Sequence, residues 1–337
     1  GLFIRFYNYP AWYGFDYDQE INAFIAKTII VDHKPVLIGP ETSIGGMYVG
    51  PYFNYVIAFF FALGKMNPAA TIFLNILLSA STMVIFYLVG RKLFGPKAAI
   101  IGLIFYAFSF VIGGYDQVLW NPNPIPLVSL LFFYFLYRNR IILAAFFLGI
   151  MFHLHFQAIL LAVVFGLYLL LFNRRAIFNL KSILGIAVVI FIFFAPLVIF
   201  DLRHNFLNSN HLIKFLFRSS GTNKTIDFLH AWQIAGILIS SFRDLIYNGS
   251  HEFVRFLALA LPLGIFAHSA KNLKSNFYKI FGVALLVAFL TFSLYKGPSP
   301  TQYYFLFLYP LFFLAFSDWL AHQKIFLVFL LLLAFLI

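Results

Sequence analysis

Long apolar runs, interrupted at intervals by short basic clusters, decide what this chain can become. The clusters are Arg91-Lys92 with Lys97, Arg138 with Arg140, Arg174-Arg175 with Lys181, Lys271 with Lys274 and Lys279, and Lys324. Apolar runs approaching ~20 residues are what a ~30 Å hydrocarbon core asks of a helix. Lipid offers no partner to backbone N–H and C=O groups, so the spanning segments are helices or a closed barrel. The chain is 63% hydrophobic and 10% charged, with a mean hydropathy of +0.92, whereas soluble domains carry about 25% charged residues. The reading is an all-α, polytopic membrane protein. The formal charge of +12 does not indicate nucleic acid, because the Lys and Arg are dispersed between apolar runs in the manner of cytoplasmic loops. With no Cys there is no disulfide framework and no thiolate metal site.

Placing the basic clusters in the cytoplasm leaves outward turns at 113–123, 153–157, 201–253 and 296–302. The acids test this layout, since nothing in the Lys and Arg pattern forces their position. Asp16, Asp18, Glu20, Asp32, Glu41, Asp116, Asp201, Asp227, Asp244 and Glu252 all fall outside, and Asp318 falls inside. Spans are expected near 69–90, 98–113, 124–137, 141–156, 157–172, 182–200, 254–268, 279–295 and 303–319, with 325–337 beginning another. That gives about nine to eleven transmembrane helices by length. Pro51 to Leu63 would reach only ~20 Å and reads as a juxtamembrane or re-entrant helix. The expected units are 1–67, an extracytoplasmic loop with juxtamembrane helices; 68–200, a transmembrane module; 201–253, a second large outward loop holding a short surface helix over 231–242; and 254–337, C-terminal helices. The chain opens on Gly1 and stops within an apolar run, which reads as incomplete at both ends.

Against this background Gly14-Phe15-Asp16-Tyr17-Asp18-Gln19-Glu20 is a polar island. Asp16 as N-cap and Gln19 at the third helical position form a capping box. At ~100° per residue, Ile21, Ile25, Thr28 and Ile29 share a stripe with Asp18, while Asp16, Glu20, Ala23 and Lys27 lie opposite. A carboxylate on an apolar stripe is costly unless it has a task. Asp18 near a helix N-terminus, where the macrodipole favours the ionised form, reads as a base. A solvated acidic loop is the plainer alternative. Turns at Gly39-Pro40-Glu41 and Gly50-Pro51-Tyr52 fold the loop back on the surface. Tyr115-Asp116-Gln117 and Trp120-Asn121-Pro122-Asn123-Pro124 form a second outward cluster, either an acid and amide pair facing Asp18 or an interfacial aromatic belt. His153 and His155 are interfacial histidines or contacts for a substrate phosphate, and so are Arg203 and His204 unless Arg203 snorkels. No Walker A, GxSxG or HExxH motif occurs, so an ATPase, an α/β-hydrolase and a zincin have no support.

The acidic first loop, Gly50-Pro51-Tyr52-Phe53-Asn54-Tyr55, the Gly90-Arg91-Lys92-Leu93-Phe94-Gly95 turn and the cluster before Asn121-Pro122 resemble polytopic glycosyltransferases of the C-type fold. The group is that of the dolichyl-phosphate-mannose–protein mannosyltransferases and aminoarabinose transferase-like proteins, with the likeness strongest over 14–160. The resemblance implies transfer of a sugar from a polyprenyl-phosphate donor to a lipid, glycan or protein acceptor at the outer face of the plasma (inner) membrane. It carries the catalytic acid onto Asp18, with Asp16 and Glu20 as rivals because the family's Asp-Glu pair is here Asp18-Gln19-Glu20. It puts a second acid at Asp116, or its place at Asn121 or Asn123. A Lys often stands where His153 or His155 falls, which leaves His153, His155, Arg203 and His204 to meet the donor phosphate. Glu41, Tyr52 and Tyr303 complete the expected substrate-binding set. A divalent cation is compatible with the chain but no motif indicates one. The rival from another class is a transporter or flippase for a lipid-linked or anionic substrate, which would set its ionisable groups at mid-span.

Overall fold

The computed structural model describes residues 1–9, 14–42, 45–218, 227–295 and 299–323, and the side chains of 216–218 are left aside. The expected span over 325–337 and the basic residue Lys324 lie outside the described residues. Among those described, the fold is helical, with one isolated bridge between Glu41 and Tyr48. The chain begins with α1 (Leu2–Phe6), α2 (Tyr17–Ile30) and α3 (Tyr52–Leu63). There follow α4 (Ile72–Phe108), α5 (Phe110–Gln117), α6 (Ile125–Tyr137), α7 (Ile141–Met151) and α8 (Ala158–Phe172). Next come α9 (Arg174–Ile177), α10 (Leu180–Arg203), α11 (Leu207–Arg218) and α12 (Phe228–Ile246). The last are α13 (Glu252–Ala258), α14 (Ala260–Lys271), α15 (Asn276–Leu294) and α16 (Tyr309–Ala321).

The two expected spans 69–90 and 98–113 are the arms of α4, which breaks at Gly95 (φ 87°) just before Pro96. A left-handed residue is readily adopted only by glycine, and the proline removes the next backbone donor. The arms fold back on each other: Phe86 stacks on Tyr106 at 5.3 Å, and a Cβ on Gly90 would meet Ala99 at 3.3 Å. Helix α16 fills the centre, with every residue from Tyr309 to Phe316 buried. It runs antiparallel to the second arm of α4, Tyr106 meeting Phe313 at 5.4 Å and Phe105 meeting Phe316 at 4.8 Å. At Gly102 a Cβ would lie 2.7 Å from that of Ser317, so this crossing requires glycine.

Among the described residues, four segments are long and apolar enough to cross a membrane: Pro68–Phe108, Leu180–Arg203, Glu252–Lys271 and Asn276–Leu294. The expected spans 124–137, 141–156, 157–172 and 303–319 are instead shorter helices, α6, α7, α8 and α16, of 11 to 15 residues. Their missing length lies in the turn at 152–157 and, after a 3₁₀ turn over Gln302–Phe305, in the turn at 306–308. Such backbone is tolerated at membrane depth where protein surrounds it, and here His153, Leu154 and residues 305–308 are buried. The short helix expected after Pro51 is present as α3 and packs against α2.

The expected loop 201–253 is largely helical. It holds α11 and a 19-residue α12, and α12 is no short surface helix over 231–242. Ile234, Leu238, Phe242 and Leu245 are buried in the bundle. The polar residues that interrupt its apolar run have partners: His230 Nε2 lies 3.1 Å from the carbonyl oxygens of Phe292 and Tyr295, and the Gln302 amide donates to Asp244 at 2.7 Å.

Among the described residues, the basic clusters gather at one end of the bundle. Lys97 donates to the Ala321 carbonyl at 2.8 Å, Asn173 to Asn139 at 3.2 Å, and Arg138, Arg140 and Asn276 line one surface depression. The acidic 14–50 loop lies at the opposite end, with 118–122, 152–157 and 303.

Candidate active site

Helix α2 starts as its sequence dictates. The Gln19 side chain accepts the Asp16 N–H at 2.9 Å, and the reciprocal capping box is complete. Gln19 also reaches across the fold, its amide donating to the Leu119 carbonyl at 2.8 Å. The buried face of α2 is Gln19, Asn22 and Ala26, with Ala23 packed beside them. This differs from the isoleucine stripe, whose members are half-buried. The reason is polar: Asn22 Oδ1 accepts from the Asn54 amide of α3 at 2.8 Å, and hydrophobicity does not reveal a face built on such bonds.

Asp18 borders this face and lines a cavity of about 110 Å³ with Asn22, Glu41, Thr42, Trp120, Asn121, His155 and Tyr303. Of the expected residues, Asp18, Glu41, Asn121, His155 and Tyr303 are thus brought together. One wall is aromatic, Trp120 meeting Tyr303 edge-on at 5.0 Å and His155 meeting Tyr303 at 5.9 Å. The Glu41 carboxylate accepts the Gly46 N–H within its own turn. Asn121 is 8% exposed, and neither atom of its amide has a partner. Through Thr42, Val49 and His155 the cavity adjoins a second, apolar one of about 180 Å³ among Met47, Phe152, Phe156, Ile159, Phe194, Leu197 and Leu212. No Lys or Arg stands among the described residues lining either cavity.

Burial against the cavity wall, and secondarily the charge of Asp16, hold the Asp18 carboxyl above the usual carboxylate range. This corrects the macrodipole expectation of a lowered value: partial desolvation and the charge of Asp16 outweigh one helix end. In the 152–157 turn His153 is buried and His155 half-buried. His153 is a joint: its Nε2–H donates to the Phe193 carbonyl at 2.9 Å, its Nδ1 accepts the Tyr52 N–H at 3.3 Å, and its ring stacks on Tyr52 at 4.2 Å. It closes on Gly50, where a Cβ would lie 2.0 Å from Nδ1.

Other expected residues lie elsewhere. Asp116 does not face Asp18. It is buried against Arg5, and Ser79 donates to the same carboxylate at 2.6 Å. Asn123 donates to Asn75 at 3.1 Å and to the Val118 carbonyl at 3.0 Å. The Tyr52 hydroxyl donates to the Ile192 carbonyl at 2.7 Å. Arg203 and His204 line neither cavity, and His204 stacks on Phe200 at 4.2 Å. Asp16 caps α2, and Glu20 is exposed on its outer face. Sequence reasoning missed Asn22 and undervalued Trp120. A polar Asn on each of the paired helices α2 and α3, and a Trp next to Asn121, were the available signals.

Residues 48–200 match the family described as dolichyl-phosphate-mannose-protein mannosyltransferase. The fold is shared with ArnT from Cupriavidus metallidurans bound to undecaprenyl phosphate, at a TM-score of 0.68 and 12% identity over 96% of this chain. It is shared as well with the same protein in the apo state, at a TM-score of 0.63 and 13% identity over 92% of this chain. This chain spans 59% and 56% of those two chains. No curated protein sequence matches it. The resemblance read from the acidic loop and the Gly-Pro-Tyr segment is met in the three-dimensional arrangement: this is a polytopic all-α membrane protein with the C-type fold that it shares with ArnT, and its residues 48–200 are similar to the mannosyltransferase family.

Proposed function

We propose that the chain is a membrane glycosyltransferase that moves a sugar from a polyprenyl-phosphate-linked donor to a lipid, glycan or protein acceptor at the extracytoplasmic face. The observation that carries this reading is the pair of adjoining cavities, one polar and bordered by Asp18, the other apolar and suited to an isoprenoid tail. The fold-mate ArnT holds undecaprenyl phosphate. The donor already carries its leaving group, so the protein's tasks are orientation and proton removal. An acceptor hydroxyl or amine attacks the anomeric carbon, and the bond from that carbon to the phosphate oxygen breaks. Polyprenyl phosphate leaves, and the acceptor proton passes to the Asp18 carboxylate. Direct displacement inverts the anomeric centre. His155 serves as a neutral donor: its Nδ1 accepts the Gln157 N–H at 3.2 Å, which leaves the proton on Nε2, at the seam of the cavities, for a phosphate oxygen.

The test is transfer from labelled polyprenyl-phosphate sugars by the purified protein in lipid. A protein that transfers nothing but moves a lipid-linked substrate across vesicles is a transporter, and the proposal fails. Orientation has its own test on a chain with no native Cys. Glu20→Cys should react with an impermeant thiol reagent from outside, and Lys92→Cys should not. Both sites are exposed, and labelling of Lys92→Cys from outside would reverse the topology.

The pH profile follows from the raised Asp18 pKa. The base form is lost as pH falls through the folded-state value, so the acid limb of the rate should lie above that of an ordinary carboxylate. Asp16→Asn removes the second cause and should move that limb to lower pH. An acid limb that ignores Asp16→Asn would detach it from Asp18.

A further inference from the structure

We infer that Asn22 and Asn121 form a carboxamide clamp that reads neighbouring hydroxyls of the donor sugar. This rests on the glycosyl-transfer reading of the same site and adds what holds the sugar. Both side chains line the cavity beside Asp18, and both are more than nine-tenths buried, Asn22 at 1% and Asn121 at 8% exposure. Buried side-chain amides ordinarily find partners. Here Asn121 Nδ2 and Oδ1 have none, and neither has Asn22 Nδ2, while Asn22 Oδ1 is taken by Asn54. The buried, unpartnered atoms therefore comprise donors on both residues and one acceptor.

Two adjacent hydroxyls of a pyranose present the matching set, since each both donates and accepts. The remaining walls agree. Trp120 and Tyr303, set edge to face, offer apolar ring surface for the C–H side of a sugar, and Asp18 stands at the rim for the acceptor proton. The apolar cavity beyond Thr42 and His155 fixes the direction, with the tail on that side and the sugar on this one. A pocket that leaves its amides unpaired in the absence of ligand discriminates strongly against an analogue that lacks the hydroxyl.

Equilibrium binding to the full chain in lipid nanodiscs tests this without any turnover. The probes are bare polyprenyl phosphate, the same lipid carrying a neutral hexose, and monodeoxy versions of that hexose. In the wild type the hexose should bind about tenfold more tightly than the bare lipid, from one or two hydrogen bonds, and at least one deoxy probe should lose that gain. Asn121→Leu should abolish the gain, leave bare-lipid affinity unchanged, and bind hexose and deoxy-hexose alike, the signature of a lost pairwise interaction. Asn22→Leu also breaks the bond to Asn54, so it is scored only where its thermal midpoint matches the wild type, and Asn121→Leu decides the case alone otherwise. A hexose gain that survives Asn121→Leu, or no gain in the wild type, overturns the clamp. Absence of transfer with the gain and its loss intact overturns the enzymatic reading and leaves the clamp standing.

Discussion

Asp18→Asn should reduce the initial rate of sugar transfer by ~10²- to 10⁴-fold, the span typical of a lost general base, with donor affinity nearly unchanged. The exchange preserves shape and leaves the helix start intact, because the cap belongs to Asp16 and Gln19. Asp16→Asn should cost little at neutral pH, since Asn caps about as well as Asp. Glu20→Gln should also be mild, its side chain being exposed and outside both cavities. The measurement is the rate at fixed donor concentration, with expression and donor binding checked for each variant. Near-full transfer by Asp18→Asn, with loss in Asp16→Asn or Glu20→Gln, would move the base to another carboxylate of the loop.

Arg5→Met should be the most damaging single change to stability, by about 3–5 kcal/mol, because it strands a buried carboxylate. The Arg5 and Asp116 side chains are 2% and 8% exposed. The guanidinium also donates to Ser79 at 2.9 Å and to the Tyr106 carbonyl at 2.6 Å, and it lies 5.5 Å from the Tyr106 ring. This network pins α1 against α4 and α5. The double variant Arg5→Met with Asp116→Leu removes both charges and should recover much of the loss, since apolar replacement of a buried pair is often neutral or better. Thermal midpoints in detergent give the comparison. Asp116→Asn distinguishes a structural acid from a catalytic one: it should lower the midpoint, and any fall in transfer should follow the folded fraction. Loss of transfer at an unchanged midpoint would return Asp116 to the chemistry.

Local chemistry was readable where it depends on neighbours in the chain. The Asp16 and Gln19 cap, the short α3 and the glycine turn between the arms of α4 follow from spacing and hydropathy, whereas placing Asn121 and His155 in one site with Asp18 rested on the resemblance. What stayed hidden depends on partners far along the sequence. Asp116 reads as an exposed loop acid until Arg5, 111 residues earlier, is placed beside it. Gln19 and Asn22 look like the polar edge of an amphipathic helix until Leu119 and Asn54 take their bonds. His153 reads as a phosphate contact until the Phe193 carbonyl and the Tyr52 N–H take both of its ring nitrogens. Helix α12 was shortened for a related reason, as His230, Arg243 and Asp244 broke its apolar run although the fold supplies groups to meet them.

The position of α16 has a consequence for biogenesis. The helix at the heart of the bundle is synthesised late relative to its partners on α4, since Gly102, Phe105 and Tyr106 leave the ribosome some two hundred residues earlier. Until α16 arrives, the slot between the second arm of α4 and its neighbours has to be filled by lipid or by an insertion chaperone. Contacts so distant in sequence form late and slowly, and incomplete bundles expose surfaces that associate wrongly. Truncation before Tyr309 should therefore leave a protein that inserts but is cleared by quality control, whereas co-expression of the missing segment as a separate membrane peptide should restore part of its lifetime.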